Sequence, residues 1–77
     1  SAIAADHGLT TTAVKTFVDS ILHRMIFDAE ALNDLLAPLN LGWKDRAKKE
    51  VALMKDLAPQ LKRLAGGREV SGLSAYE

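Results

Sequence analysis

Residues 43–67 read WKDRAKKEVALMKDLAPQLKRLAGG, and this stretch decides the fold. Trp43, Ala47, Val51, Met54, Leu57, Ala58, Leu61 and Leu64 recur every three or four positions, the period that aligns side chains on one face of an α-helix. The spacing predicts the longest helix of the chain, starting near Trp43 and stopped by Gly66-Gly67. Pro59 has no amide N–H and its ring collides with the carbonyl of Lys55, so a kink or break is predicted there. Trp43, the only tryptophan, opens the apolar face and is predicted to anchor the core. Glu50 falls within that face, between Ala47 and Met54, where burial without a donor costs several kcal/mol. Its candidate donors are Trp43, Arg46 and Arg68. Three roles stay open for it: an edge position reached by water, a pin holding the C-terminal tail through Arg68, or an acceptor for a partner protein. Lys48, Lys55 and Lys62 recur at heptad spacing with Lys44 one turn earlier. They form either a solvated stripe whose stems cover the core edge or a ladder for phosphates or an acidic protein surface.

Upstream, Ser1 to Asp6 reads as a helix end stopped by Gly8. Thr10 or Thr11 can cap a second helix reaching about Met25, because a hydroxyl accepts from an unpaired first-turn amide. Val14, Phe17, Val18, Ile21, Leu22 and Met25 form its apolar face, with Thr16, Asp19, Ser20 and His23 turned away. Asp28 is a cap for a short third helix carrying Leu32, Leu35 and Leu36, which Pro38 closes by disfavouring helical geometry at Ala37. Ile3, Ala4, Gly8, Leu9, Val14 and Phe17 also fit the spacing of a helix-turn-helix. Its second helix would present Thr11, Thr12, Lys15 and Thr16. A groove-reading helix brings several cations and Arg, Asn or Gln to DNA, whereas this one brings a single lysine. The favoured reading is a bare helical corner, with DNA contact as the alternative.

Downstream of Gly67 no helical period remains. Val70, Leu73 and Tyr76 stand at three-residue spacing with Arg68 and Glu69 beside them. Such a segment either orders on a partner's surface or folds back over its own helices through Arg68 and Glu50. The expected fold is therefore all-α: a small irregular bundle of about four helices over residues 1–67 with an extended C-terminal tail, residues 68–77.

Composition bounds the function. The 77 residues suffice for one small domain. No cysteine is present, which removes disulfides and thiolate metal sites. No apolar run approaches the ~18 residues of a membrane span. The chain opens at Ser1 without an initiator methionine, as a fragment of something longer would. Net charge is zero, but two basic residues face five acidic ones up to Leu39 and eight face five from Asn40 onward, a balance of −3 against +3. Either the halves pack on each other or the basic half meets an acidic partner. Catalytic signatures are missing. Gly66-Gly67 lacks the Lys and Ser or Thr of a phosphate-cradling loop, and His7 and His23 lack the neighbours of a metal site. Asp19 and His23 are spaced as an exposed ion pair.

The string Gly42-Trp43-Lys44, Arg46, Lys49-Glu50, Leu53-Met54, Asp56-Leu57, Leu64-Ala65 and Gly67 through Glu77 resembles the extreme C-terminus of the restriction (R) subunit of type I restriction-modification enzymes. Phe17-Val18-Asp19 and Met25-Ile26-Phe27-Asp28 are similar to the segment just upstream in those proteins. The tail carries the most specific part of the resemblance. It implies a cytoplasmic parent endonuclease that uses ATP and a divalent metal, with modification and specificity subunits as partners and DNA bound through the complex. It implies no catalytic, cofactor or metal residue in these 77 positions. The expected role is docking of the translocase and nuclease onto the modification core, with Arg68, Val70, Leu73, Tyr76 and Glu50 as candidate partner contacts. The alternatives are DNA contact through Thr11, Thr12, Lys15, Thr16, Lys44, Lys48, Lys55 and Lys62, or an internal brace for the motor domains.

Overall fold

A computed structural model describes residues 2–76. Ser1 of the first predicted helix and Glu77 of the tail lie outside the described residues. Four α-helices appear among them: α1 (Ala2–Asp6), α2 (Thr11–Arg24), α3 (Ala29–Leu36) and α4 (Trp43–Leu64). Two 3-10 turns, Ala37–Leu39 and Leu73–Tyr76, complete the chain. The all-α expectation holds.

Local chemistry sets the helix limits. Thr10, in extended geometry, accepts from the Ala13 amide at 3.1 Å and starts α2. Met25 ends it in the left-handed region at φ 56°, its amide donating to the Ile21 carbonyl at 2.7 Å. The Asp28 carboxylate accepts from the Glu30 and Ala31 amides at 3.0 and 3.2 Å and starts α3. These bonds satisfy donors that a helix start leaves unpaired. α3 does end before Pro38, but not through the predicted effect on Ala37, which keeps right-handed helical geometry (φ −52°, ψ −44°). Pro38 has no amide to continue the ladder, and the chain tightens into the 3-10 turn before α4.

The core joins α2, α3 and the second half of α4. Val14, Phe17 and Ile21 of α2 and Leu32, Leu35 and Leu36 of α3 are buried together with Leu53, Met54, Leu57, Ala58 and Leu61 of α4. α2 packs on α3, and α4 packs on α1, α2 and the C-terminal turn. Burying each such aliphatic side chain contributes about 1.5–3 kcal/mol.

The structure decides three expectations about α4 and the tail. Of the kink or break predicted at Pro59, the break is absent: the 22 residues of α4 run through it. Pro59 and Lys55 lie on the exposed side, where water can reach the carbonyl that has lost its amide partner. Trp43 is not a core anchor but 79% exposed, and Val51 and Leu64 are also exposed. At 1.5 Å per residue α4 is about 33 Å long, the full 34 Å long dimension of the molecule. Its neighbours cover only its second half, and no residue from Trp43 to Ala52 is buried.

The third expectation concerns the tail, which takes the second of its two readings and folds back over the bundle, though not through Arg68 and Glu50. Ser71 bridges Ile26 in parallel, with the Phe27 amide donating to the Ser71 carbonyl at 2.7 Å and the Ser71 amide donating to Met25 at 3.0 Å. Val70 and Leu73 are 6% and 1% exposed, inside the core. Gly72 makes this docking feasible. Its φ is +81°, and a Cβ there would stand 3.4 Å from Phe27 Cβ, so a larger residue meets both backbone strain and a close neighbour.

Candidate protein-interaction surface

The first half of α4 carries the feature that the fold leaves uncovered. At 100° per residue, Trp43, Ala47 and Val51 follow one another a turn apart along one strip. That strip points in nearly the same direction as Met54, Leu57 and Leu61, which are buried lower down the helix. The upper strip therefore has the character of a core face without a covering layer. Trp43 and Val51 are 79% and 53% exposed, and Ala47 is exposed between them. Contiguous exposed apolar surface on a small domain marks a docking site far more often than a single stray hydrophobe does.

Charge frames the strip. Lys44, Lys48 and Lys55 are all exposed and run along one edge. The Lys44 ammonium sits 5.4 Å from the centre of the Trp43 ring, a favourable cation–π arrangement. Ala47, Lys48, Val51, Ala52 and Lys55 line a shallow groove on this side. On the other edge Arg46 and Glu50 form an i,i+4 ion pair at 3.2 Å, each about one-third exposed. Of the three roles read for Glu50, the observed geometry is the edge position, with Arg46 as its partner. Arg68 instead donates from Nε to its own Ala65 carbonyl at 3.1 Å, so the tail is not pinned through Glu50.

The tail residues predicted as partner contacts divide. Val70 and Leu73 face inward and are spent in the core. Tyr76 is half-buried, its ring 5.3 Å from that of Phe27 at 57°. Arg68 and Glu69 remain exposed. The second helix presents Thr11, Thr12, Lys15 and Thr16 to solvent. Lys15 bonds Asp19 at 3.1 Å, so the single cation of that surface is already paired, and Asp19 takes this lysine rather than His23. With α4 unbroken, Lys62, also exposed, continues the lysine stripe in phase below Lys55.

One polar contact was not legible in the sequence. His7, 9% exposed, joins Asp56 from Nε2 to Oδ2 at 2.7 Å across 49 positions of chain. It ties the end of α1 to the middle of α4, with its Nδ1 buried and unpaired. No local spacing links the two residues, so no sequence signal pointed to them.

Gly66 and Gly67, at φ +65° and +87°, follow a helix rather than lead into one, so their amides build no phosphate cradle of the kind that opens onto a helix N-terminus. No group of three His, Cys, Asp or Glu side chains among the described residues could hold a metal ion. Among the described residues no helix is long and apolar enough to cross a membrane.

A family model described as type I restriction and modification enzyme, subunit R C terminal, matches residues 1–64. The match takes in all four helices and ends before the tail, the stretch that weighed most in the sequence resemblance. Neither curated proteins nor solved structures give a significant match.

Proposed function

Because the chain belongs to the family of C-terminal regions of type I restriction and modification enzyme R subunits, we propose that it is an assembly module. In this reading it docks the ATP-dependent translocase and nuclease of the R subunit onto the modification and specificity subunits, in the cytoplasm. ATP and divalent metal chemistry belongs to other parts of such an enzyme. The single observation carrying the reading is the uncovered apolar strip Trp43–Ala47–Val51 on α4. Its exposed tryptophan, flanked by cations, has the composition of an interface anchor. The docking element thus moves from the tail, where the sequence suggested it, to the first half of α4.

The test is a pull-down of the chain with purified modification core, with and without DNA. Retention of the core by the wild-type chain, and its loss on Trp43→Ala with an unchanged helical spectrum, support docking. No retention of the core under either condition refutes it.

A second reading, direct DNA contact, draws on the lysine stripe Lys44, Lys48, Lys55 and Lys62. Phosphate binding falls steeply with salt because counterions are released, whereas an apolar protein interface is far less salt-sensitive. Neutral net charge and the Lys15–Asp19 pair favour weak, non-specific affinity, about 10⁻⁴–10⁻⁶ M near physiological salt. A sequence-specific complex formed by the chain alone would reverse the order of the two readings.

A further inference from the structure

The docking reading leaves the chemistry of the occupant open, and the geometry of α4 narrows it. Resting on that reading, we propose that the face from Trp43 to Lys55 receives an acidic amphipathic helix of the partner protein.

The strip runs along the i, i+4, i+8 positions Trp43, Ala47 and Val51, the row that forms a ridge on a helix surface. Ala47 adds little bulk within it, and a shallow groove lined by Ala47, Lys48, Val51, Ala52 and Lys55 runs along its lysine side, so a second helix can approach closely there. An occupant with apolar residues every three or four positions would cover Trp43 and Val51 along its length. The basic edge then sets its charge. Lys44, Lys48 and Lys55 project on one side of the strip, and helical spacing puts no carboxylate among them: Asp45 and Asp56 lie round the helix, and Asp56 is engaged by His7. Carboxylates on the matching flank of the occupant would complement that edge and fix its direction and register. On the opposite edge Arg46 and Glu50 already pair with each other in charge at 3.2 Å.

Two other occupants fit less well. A nucleic acid backbone would meet the lysines but leave Val51 and the alanines against phosphate and sugar, with their apolar area uncovered. A second copy of this chain can supply carboxylates from α3, where Asp28, Glu30 and Asp34 border a groove. But Leu32, Leu35 and Leu36, the apolar stripe of that helix, are buried in its own core. On that face a second copy has the charge without a free apolar stripe, and its own exposed strip, Trp43–Ala47–Val51, is bordered by lysines rather than carboxylates.

The probe is a designed helix of about 20 residues, long enough to hold helical structure, with leucines at i, i+3, i+4 and i+7 spacing and glutamates on one flank. A lysine-flanked version and a serine-for-leucine version serve as controls. Trp43, the only tryptophan, reports its own burial by a blue shift of emission, and anisotropy of the labelled probe reports affinity. The glutamate version is expected to bind at least about tenfold tighter than the lysine version, and the serine version to lose binding. Trp43→Ala should weaken binding about tenfold or more. The triple charge reversal Lys44→Glu, Lys48→Glu, Lys55→Glu should invert the preference between the two flanked probes. All four substitutions fall on exposed positions, so unchanged melting curves identify them as binding variants.

Equal affinity for the two flanked probes, no binding of either, or an order untouched by the charge reversal would overturn the proposal. So would a chain that self-associates through Trp43 and excludes the probe. If the modification core is captured through Trp43 while the glutamate probe is ignored, docking stands and the acidic helix fails. If the core is not captured at all, the docking reading itself fails.

Discussion

Replacing Leu73 by alanine tests whether the C-terminal segment is structural. Leu73 is 1% exposed and among the largest fully buried side chains. It sits in the closing 3-10 turn, which packs on α4. Truncation removes three buried carbons and leaves a cavity that the surrounding helices fill only in part, a change that costs 2–5 kcal/mol in well-packed cores. The site lies near a chain end and can relax somewhat, so about 3 kcal/mol is the expected loss. A chain of this length holds about 4–12 kcal/mol in total, so the loss is a large part of its stability. For a domain of this size 1 kcal/mol corresponds to about 4–8 °C, and the melting temperature should fall by about 12–24 °C. Circular dichroism melts and urea titrations of the chain and of Leu73→Ala give the measurement, with exposed Ser74→Ala as a control that should not move. The m-value should stay the same, because the rest of the core still unfolds as one unit. A Leu73→Ala chain within about 1 kcal/mol of the wild type would show that the tail contributes little to the core, and would return Val70 and Leu73 to the partner-contact group.

Trp43→Ala should leave stability within about 0.5 kcal/mol, as exposed substitutions do; a loss of 3 kcal/mol or more, typical of a buried aromatic, in the same melts would place Trp43 in the core after all. Asp56→Ala removes the partner of a buried imidazole and should cost about 1–3 kcal/mol, read by urea titration, whereas substituting the neighbouring exposed Lys55 should not. Pro59→Ala should stabilise the chain by about 1–3 kcal/mol, because it restores a helical amide and removes a steric clash while giving up a smaller constraint on the unfolded state; a lower melting temperature would count against helix α4 running unbroken. Gly72→Ala should cost about 1–2 kcal/mol through left-handed strain and contact with Phe27, and a neutral result would contradict the tight approach of the tail.

The sequence by itself determined the local units, since a helix is specified by interactions that reach only four residues along the chain. The hydroxyl of Thr10, the carboxylate of Asp28, Pro38 and the Gly66-Gly67 stop mark boundaries because each acts on amides or dihedrals next to it. The leucines of α3 and the apolar row of α2 announced their buried faces by spacing alone. Family membership was legible too, although the tail, which weighed most in the resemblance, lies outside the matched residues 1–64. What only the tertiary structure decided was how far the neighbours reach along α4. Periodicity tells which side of a helix is apolar but not which length of it is covered, and so Trp43 and Met54, on the same side, end in opposite environments. One signal was present in the chain: six of the seven residues 44–50 are charged, a density at odds with a covered turn. His7 with Asp56, and Ser71 with Met25 and Phe27, meet across tens of residues. No local pattern encodes such pairs, because loop closure and packing of the whole core bring them together.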